Sequence, residues 1–451
     1  MGAAAAAGTP QTQRRSFRSS NEDRAAVIGG GYAGLATAVE LAARGVPVTV
    51  FEAARELGGR ARRVVRREAT LDNGCHILLG CYRDTLRLLE RVSPGGTASG
   101  LMRLDLELHV PRTFRFRAPR LPSPFHVLAG MLAARGIPLT EKLRALRFMG
   151  AMNRSGFRLP RDESVSSLLS RHAQSGRVAA YLWQPLCIAA LNTPPDSASA
   201  QVFLNVLRDS LRGDRAASDL LLPRVDLSRL FPEPAADFIA RHGGVVRLGA
   251  TVNAIGTAGG GLRVNGDGGS REFSWVVCAA SPHRAGALLA GVPGLESLAS
   301  RLGRLRYQPI YSVYLQYPED IRLPHPMTGM AGGLGQWVFD RGVLCHQPGL
   351  LGVVISGPGP HEAMGREALA RRVAGELATM FPRLPAPRWH QVIAEKRATI
   401  AATVGLERPT NATPVPGLYL AGDYTDPEYP ATLEAAVRSG VKCARLILGE
   451  A

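Results

Sequence analysis

The chain has 451 residues, 45% of them apolar, which is enough to bury a core in each of two or more domains. Its formal charge of +17 invites a nucleic-acid partner, but the excess is concentrated in residues 101–160, where eleven Lys or Arg meet three Asp or Glu amid many Leu, Phe and Met, with no nucleic-acid motif. That mixture argues against nucleic acid and for a peripheral contact with an anionic membrane surface, since no apolar run reaches the roughly 20 residues needed to span a bilayer.

Residues 1–23 read as a disordered tail. Its arginines follow the short Ala run instead of preceding it, and Ala6 stands where myristoylation needs Ser or Thr. Six cysteines, at 75, 81, 187, 278, 345 and 443, form no C-x-x-C pair. No His/Cys cluster has metal-ligand spacing. A cytoplasmic chain, peripheral on the inner membrane and without disulfides or metal, is expected.

Residues 25–52, AAVIGGGYAGLATAVELAARGVPVTVFE, organise the rest. Val27 and Ile28 close a short apolar strand. Gly29, Gly31 and Gly34 form G-x-G-x-x-G. An Ala/Leu/Val run from Ala33 predicts a helix that Gly45 stops, and VPVTVF predicts a second strand ending at Glu52. The first glycine permits a tight turn, the second admits a pyrophosphate, and the third lets helix and strand pack closely. The helix N-terminus then faces the diphosphate. A carboxylate at Glu52 suits ribose hydroxyls and disfavours a 2′-phosphate, leaving FAD or NAD.

Gly58, Gly59 and Arg60 fall where a second turn can approach the same cofactor. LDNGCHILLGCYRDTLRLL then places Asp72, Asn73, Gly74 and His76 ahead of a helix beginning near Tyr82. Strands are expected in residues 101–123. Two amphipathic helices follow Pro124, broken at residues 136–138. Residues 162–222 read as helical, interrupted by Pro194 and Pro195, with Ser197 or Ser199 as the next cap. From residue 230 the pattern returns to α/β: helix PAADFIARHG, one strand VVRLGATVNAI, then strands GLRVNG and EFSWVVCAA. Further strands are expected at residues 307–317, 350–356 and QVIAEKRATIA, with a helix over 361–381. At the end, LYLAGDYTDPEYPATLEAAVRSG gives a strand, a Gly-Asp turn and a long helix from about Ala431. Asp423 at a strand end and Thr432 at a helix start suit a ligand along the sheet edge.

The glycine turn with ELGGRA and the LAGDYTDPEYPATLEAAVRSG block resembles the flavin amine-oxidase and carotenoid-desaturase superfamily. Within it, LDNGCHILLGCYRDTLRLL, LWQPLCIAALNTPPDSASAQVFLNVLRDSL and SDLLLPRVDLSRLFPEPAADFI resemble the squalene-associated branch. One departure is Cys75, where that branch has Gln. The resemblance implies an α/β fold: a Rossmann-type FAD-binding domain of residues 24–105, 226–300 and 405–451, with a mixed α+β substrate domain of residues 106–225 and 301–404 inserted. It implies FAD held by Gly29, Gly31, Ala33, Gly34 and Glu52 at the ADP half. Gly59, Arg60, Gly422 and Asp423 would lie along the diphosphate and ribityl chain, Val252 at the adenine, and Thr432 and Leu433 near the flavin ring.

The implied reaction is reductive removal of the hydroxyl from a hydrophobic isoprenoid alcohol, with His76 as proton donor and Tyr429 as a second polar group. Only one dinucleotide turn is visible, so electrons would come from an external donor such as NAD(P)H or a reductase. Oxidation by a carotenoid-type desaturase or an amine oxidase is the enzyme alternative. A flavin-free lipid carrier is the non-enzymatic one.

Overall fold

The computed structural model describes residues 24–67, 69–95, 99–258 and 261–450, so the expected tail at residues 1–23 lies outside it. Strand β1 (Ala25–Ile28) is buried at all four positions. It lies between β2 (Val48–Glu52) and the strand Trp275–Cys278, with Val27 opposite Val50 and Val277. Strands Val245–Leu248 and Leu418–Leu420 complete a five-stranded parallel sheet. The central strands Ala25–Ile28 and Trp275–Cys278 are covered on both faces, which explains their apolar runs.

Helix α1 (Tyr32–Ala42) follows the glycine turn and is buried along its length. The reason is the last helix, Leu433–Leu448, which packs on it. A Cβ at Gly440 would lie 2.1 Å from the Ala33 carbonyl oxygen, so only glycine allows this approach. Thr37 Oγ1 donates to the Gly440 carbonyl across the contact, at 3.0 Å. Glu40, the one acid of α1, is buried among Arg44, Arg87 and Arg91 at 2.6, 2.6 and 2.7 Å. Burial alone would raise its carboxyl, but hydrogen bonds from Arg87 and Arg44 hold it below its ordinary value. The first and last segments of the chain are joined by this close packing and by the Arg44–Glu450 ion pair at 3.3 Å.

A second, antiparallel sheet has the order Met327–Gly329, Trp337–Asp340, Leu350–Ser356, Tyr307–Gln316, Trp389–Ile400. Helix Arg366–Met380 lays Leu369, Val373 and Leu377 against it. A helical layer built from residues 125–211 forms its own core around Phe148, Trp183 and Phe203. Here Ser199, not Ser197, caps the helix Ala200–Leu211 by accepting the Val202 N–H. The expected fold class, a Rossmann-type sheet with an inserted mixed α+β part, is the one observed. Among the described residues no helix is long and apolar enough to cross a membrane.

Some local expectations fail. VVRLGATVNAI is not one strand but two, Val245–Leu248 in the parallel sheet and Val252–Ala258 in a separate antiparallel one. Gly249, at φ +63°, lets the chain turn between them. Residues 220–222, expected as helical, belong to the strand Leu220–Pro223. A Leu-Leu-Leu-Pro run has no helical period of its own, and Leu78–Leu79 and Leu101–Leu104 supply the ladder. The short strands Met327–Gly329 and Trp337–Asp340 went unforeseen because a glycine-rich loop separates them.

Candidate active site

A cavity of about 660 Å³ opens where the parallel strands end. Ile28 and Gly29 at the end of β1, Glu52 at the end of β2, Ala279 and Ala280, and Gly422 all reach it. This is the position where open α/β sheets bind ligands. Each turn glycine has a visible task. Gly29 sits at φ +115°, and a Cβ there would come within 2.7 Å of the Ala279 carbonyl oxygen. Gly34 does not reach the cavity; a Cβ would lie 2.0 Å from the Gly29 carbonyl oxygen, so its task is close packing. Gly31 and Gly59 face each other. A Cβ on Gly31 would meet only the Gly59 Cα, at 4.0 Å, so this part of the wall is bare backbone.

The N-terminus of α1 has no side-chain cap and no acid in its first turn, which leaves its N–H groups and dipole for an anion. Glu52 Oε2 accepts the Gly30 N–H at 2.7 Å and Oε1 the Ala54 N–H at 2.8 Å. The carboxylate therefore fixes the turn and still has lone pairs for hydroxyl donors. Arg60 donates to Asp423 Oδ1 at 2.7 Å and to the Ala398 carbonyl at 2.6 Å. Burial works against its charge, but Asp423 more than compensates and raises the guanidinium above its ordinary value. Val252, Thr432 and Leu433 also line the cavity, as does Ala33, and Thr432 caps the last helix through the Ala435 N–H. Bare glycine backbone, an uncapped helix start and a ribose-side carboxylate fit an extended dinucleotide.

Replacing Arg60 by Leu strands the buried Asp423 carboxylate at the cavity wall. FAD affinity is expected to fall by about tenfold to a hundredfold, the worth of a lost charged hydrogen bond. Flavin remaining after gel filtration measures this, and undiminished retention would exclude Arg60 from the site.

The loop of residues 73–77 forms the next part of the wall. His76 lines the cavity with Nδ1 2.8 Å from the Gly74 carbonyl oxygen, an acceptor that fixes the proton on Nδ1. Nε2 has no protein partner among the described residues. Burial lowers the His76 pKa, and the Gly74 bond and Asp72 only partly oppose this, so the ring is mainly neutral at pH 7. Asp72, expected on the substrate side, does not reach the cavity. It is buried against Arg341 at 2.9 Å and accepts the Leu227 N–H at 2.8 Å.

Tyr429 is also outside the cavity lining. Its hydroxyl lies 3.8 Å from Cys81 Sγ, its carbonyl accepts from Arg408, and the Arg438 guanidinium stands 4.9 Å over its ring. Tyr82 stands in front of it, edge to face at 6.4 Å, and does line the cavity. Spacing alone could not separate these two tyrosines. Sequence reasoning also missed Asn192, whose left-handed backbone and bond to the Gly357 N–H at 2.6 Å hold it at the wall. Ile77, Ala189, Ala190, Ile310, Trp337 and Phe339 form an apolar stretch of the wall, while Arg284, Ser356, Glu395 and Thr399 are among the polar residues that also line the cavity.

Fold and site together define a flavin-binding oxidoreductase. The flavin containing amine oxidoreductase family matches residues 32–448; the chain belongs to that family, is an FAD-dependent enzyme and uses FAD as its cofactor. Within the family it is similar to the hydroxysqualene dehydroxylase of Rhodopseudomonas palustris, 30% identical over 94% of this chain and 97% of that protein. This bears out the resemblance of its middle motifs to the squalene-associated branch. The zeta-carotene desaturase of Synechocystis sp. is 24% identical over 94% of this chain and 97% of its own. An oxidoreductase from Methanosarcina mazei has the same fold, with a TM-score of 0.73 at 15% identity over 93% of this chain and 99% of that one.

Proposed function

We propose that this enzyme converts hydroxysqualene to squalene by reductive loss of the hydroxyl, within squalene and hopanoid biosynthesis. The observation that carries the reading is one cavity that joins a dinucleotide cradle to an apolar wall carrying a single imidazole, His76. The named activity of the Rhodopseudomonas palustris relative supports it. The substrate is an allylic alcohol. Departure of its oxygen as water takes up one proton and leaves a delocalised allylic cation. When bound in its reduced form, FAD would supply the hydride chemistry that this carbon needs.

The chain's own residues do the rest. Ile77, Ala189, Ala190, Ile310 and Trp337 keep water from the cation and hold the isoprenoid. Protonated His76 keeps Nδ1–H on the Gly74 carbonyl and offers Nε2–H to the leaving oxygen. Gly29, Gly31, Glu52, Arg60 and Asp423 would hold the cofactor. Electrons come from an external donor, NAD(P)H or a separate reductase.

Anaerobic incubation of the flavin-loaded protein with hydroxysqualene in detergent micelles and a chemical reductant tests the reading. Squalene should form with one hydride taken up per hydroxyl lost. Desaturation of a carotene or oxidation of an amine, with hydroxysqualene untouched, would replace it by the desaturase or amine-oxidase reading.

A further inference from the structure

Nine large apolar side chains stand exposed among the described residues, and five of them, Leu121, Phe125, Leu132, Leu139 and Leu143, fall within residues 121–143. The helices Phe125–Ala133 and Leu139–Arg154 carry four of these five, and Leu121 precedes the first. Phe125 and Leu132 lie seven residues apart on one face of the first helix, and Leu139 and Leu143 four apart on the second. Lys142 Nζ donates to the Leu132 carbonyl at 2.8 Å, which ties the end of the first helix to the start of the second. The exposed leucines therefore belong to one continuous patch. Phe125 is 60% exposed and Leu139 62% exposed, more than a packed globular surface needs.

The unpaired charge on and between the two helices has one sign. Arg135, Arg144 and Arg147 make no ion pair among the described residues, and Lys142 is bonded only to a carbonyl. Glu141, the one acid of the second helix, is turned inward to accept the Val178 N–H at 2.8 Å. The same layer leads to the cavity. Phe148 and Met152 share a core with Cys187 and Leu191 of the helix Gln184–Leu191, whose Ala189 and Ala190 line the cavity wall.

We infer that this two-helix face lies on an anionic lipid bilayer. Its leucines and Phe125 enter the acyl boundary, and Arg135, Lys142, Arg144 and Arg147 meet the lipid phosphates. The helices are too short to span, so the contact is to one leaflet. This rests on the proposed isoprenoid reaction only for its purpose, because the substrate would reach the cavity through the helical layer behind the face.

The full-length flavin-loaded protein is floated with vesicles of phosphatidylcholine alone or mixed with phosphatidylglycerol. Wild type should bind the mixed vesicles and release at high salt more readily than it is released by washing. The Phe125→Asp/Leu139→Asp variant should lose at least about tenfold in partitioning, and Arg144→Gln/Arg147→Gln about fivefold for each arginine removed. Both variants should keep wild-type turnover in detergent micelles, which reads the chemistry without the bilayer. Failure of wild type to float with anionic vesicles, or variants that float as wild type does, overturns the docking face. A wild-type dimer that Phe125→Asp/Leu139→Asp splits, without vesicle binding, assigns the face to a second copy instead. Vesicle binding without turnover in micelles would leave the docking face standing and remove the proposed reaction.

Discussion

Replacing His76 by Gln is expected to lower kcat for squalene formation by about a hundredfold to ten-thousandfold while FAD stays bound. The size follows from what the imidazole can do that an amide cannot. Its Nδ1 is fixed at 2.8 Å from the Gly74 carbonyl oxygen, and that acceptor supports a proton on Nδ1 in both charge states. Only the added proton on Nε2 can pass to the leaving oxygen. Burial depresses the His76 pKa below its ordinary 6.5, so the acid form is the minor one at pH 7. The sign follows. Wild-type kcat should rise as pH falls through neutrality and level off below the depressed pKa, and the Gln variant should lose that slope. An imidazole serving only as a hydroxyl acceptor would give the opposite slope, because its neutral form would be active. A rise of kcat with pH over this range, abolished in the variant, would reassign His76 from acid to acceptor. No slope in either protein would remove it from the mechanism.

The parts of this site that could be read directly are those whose chemistry is local. Gly29, Gly31 and Gly34 each answer a constraint set within a few residues: a positive φ, a bare wall and a helix pressed on a strand. Glu52 is legible because the βαβ unit fixes its place at a strand end. Arg60 and Asp423 could each be marked as sites, but not as a pair, because 363 residues separate them and nothing local announces the 2.7 Å bond. The same gap explains the misplacement of Asp72. Its motif looks like a ligand loop, yet its partner Arg341 lies 269 residues on, in the part of the chain that folds into the antiparallel sheet. Tyr429 fails for a different reason. A tyrosine in a turn can point to either side, and Tyr82, from another segment, occupies the side facing the cavity. The apolar wall was invisible because Trp337 and Phe339 belong to a strand too short for its period to stand out.

Replacing Arg341 by Leu should destabilise the protein by about 3–5 kcal/mol, the cost of leaving one member of a buried ion pair alone. Asp72 and Arg341 are both buried, and their 2.9 Å contact ties the hairpin of residues 63–72 to the helix Arg341–Cys345 at the antiparallel sheet. Tyr314 strengthens the junction by donating to the Asp72 carbonyl at 2.8 Å. Burial pushes the Asp72 carboxyl up, and the Arg341 charge and the Leu227 N–H pull it back. Without Arg341 the folded-state pKa rises further, while the unfolded chain titrates near 3.8. Between those two values the folded variant holds a proton that the unfolded chain has lost, so its stability falls as pH rises through that window. The deficit relative to wild type is therefore largest above the raised pKa and shrinks on acidification. Thermal midpoints of both proteins across this range measure it. Adding Asp72→Asn to the variant removes the titrating group, which should flatten the pH dependence and recover part of the loss. A deficit that is the same at every pH would mean that Arg341 acts through packing on Tyr314 and not through the Asp72 charge. Because Asp72 leads directly into the loop that carries His76, a displaced hairpin should also lower turnover, and more so at the pH where the midpoint deficit is greatest.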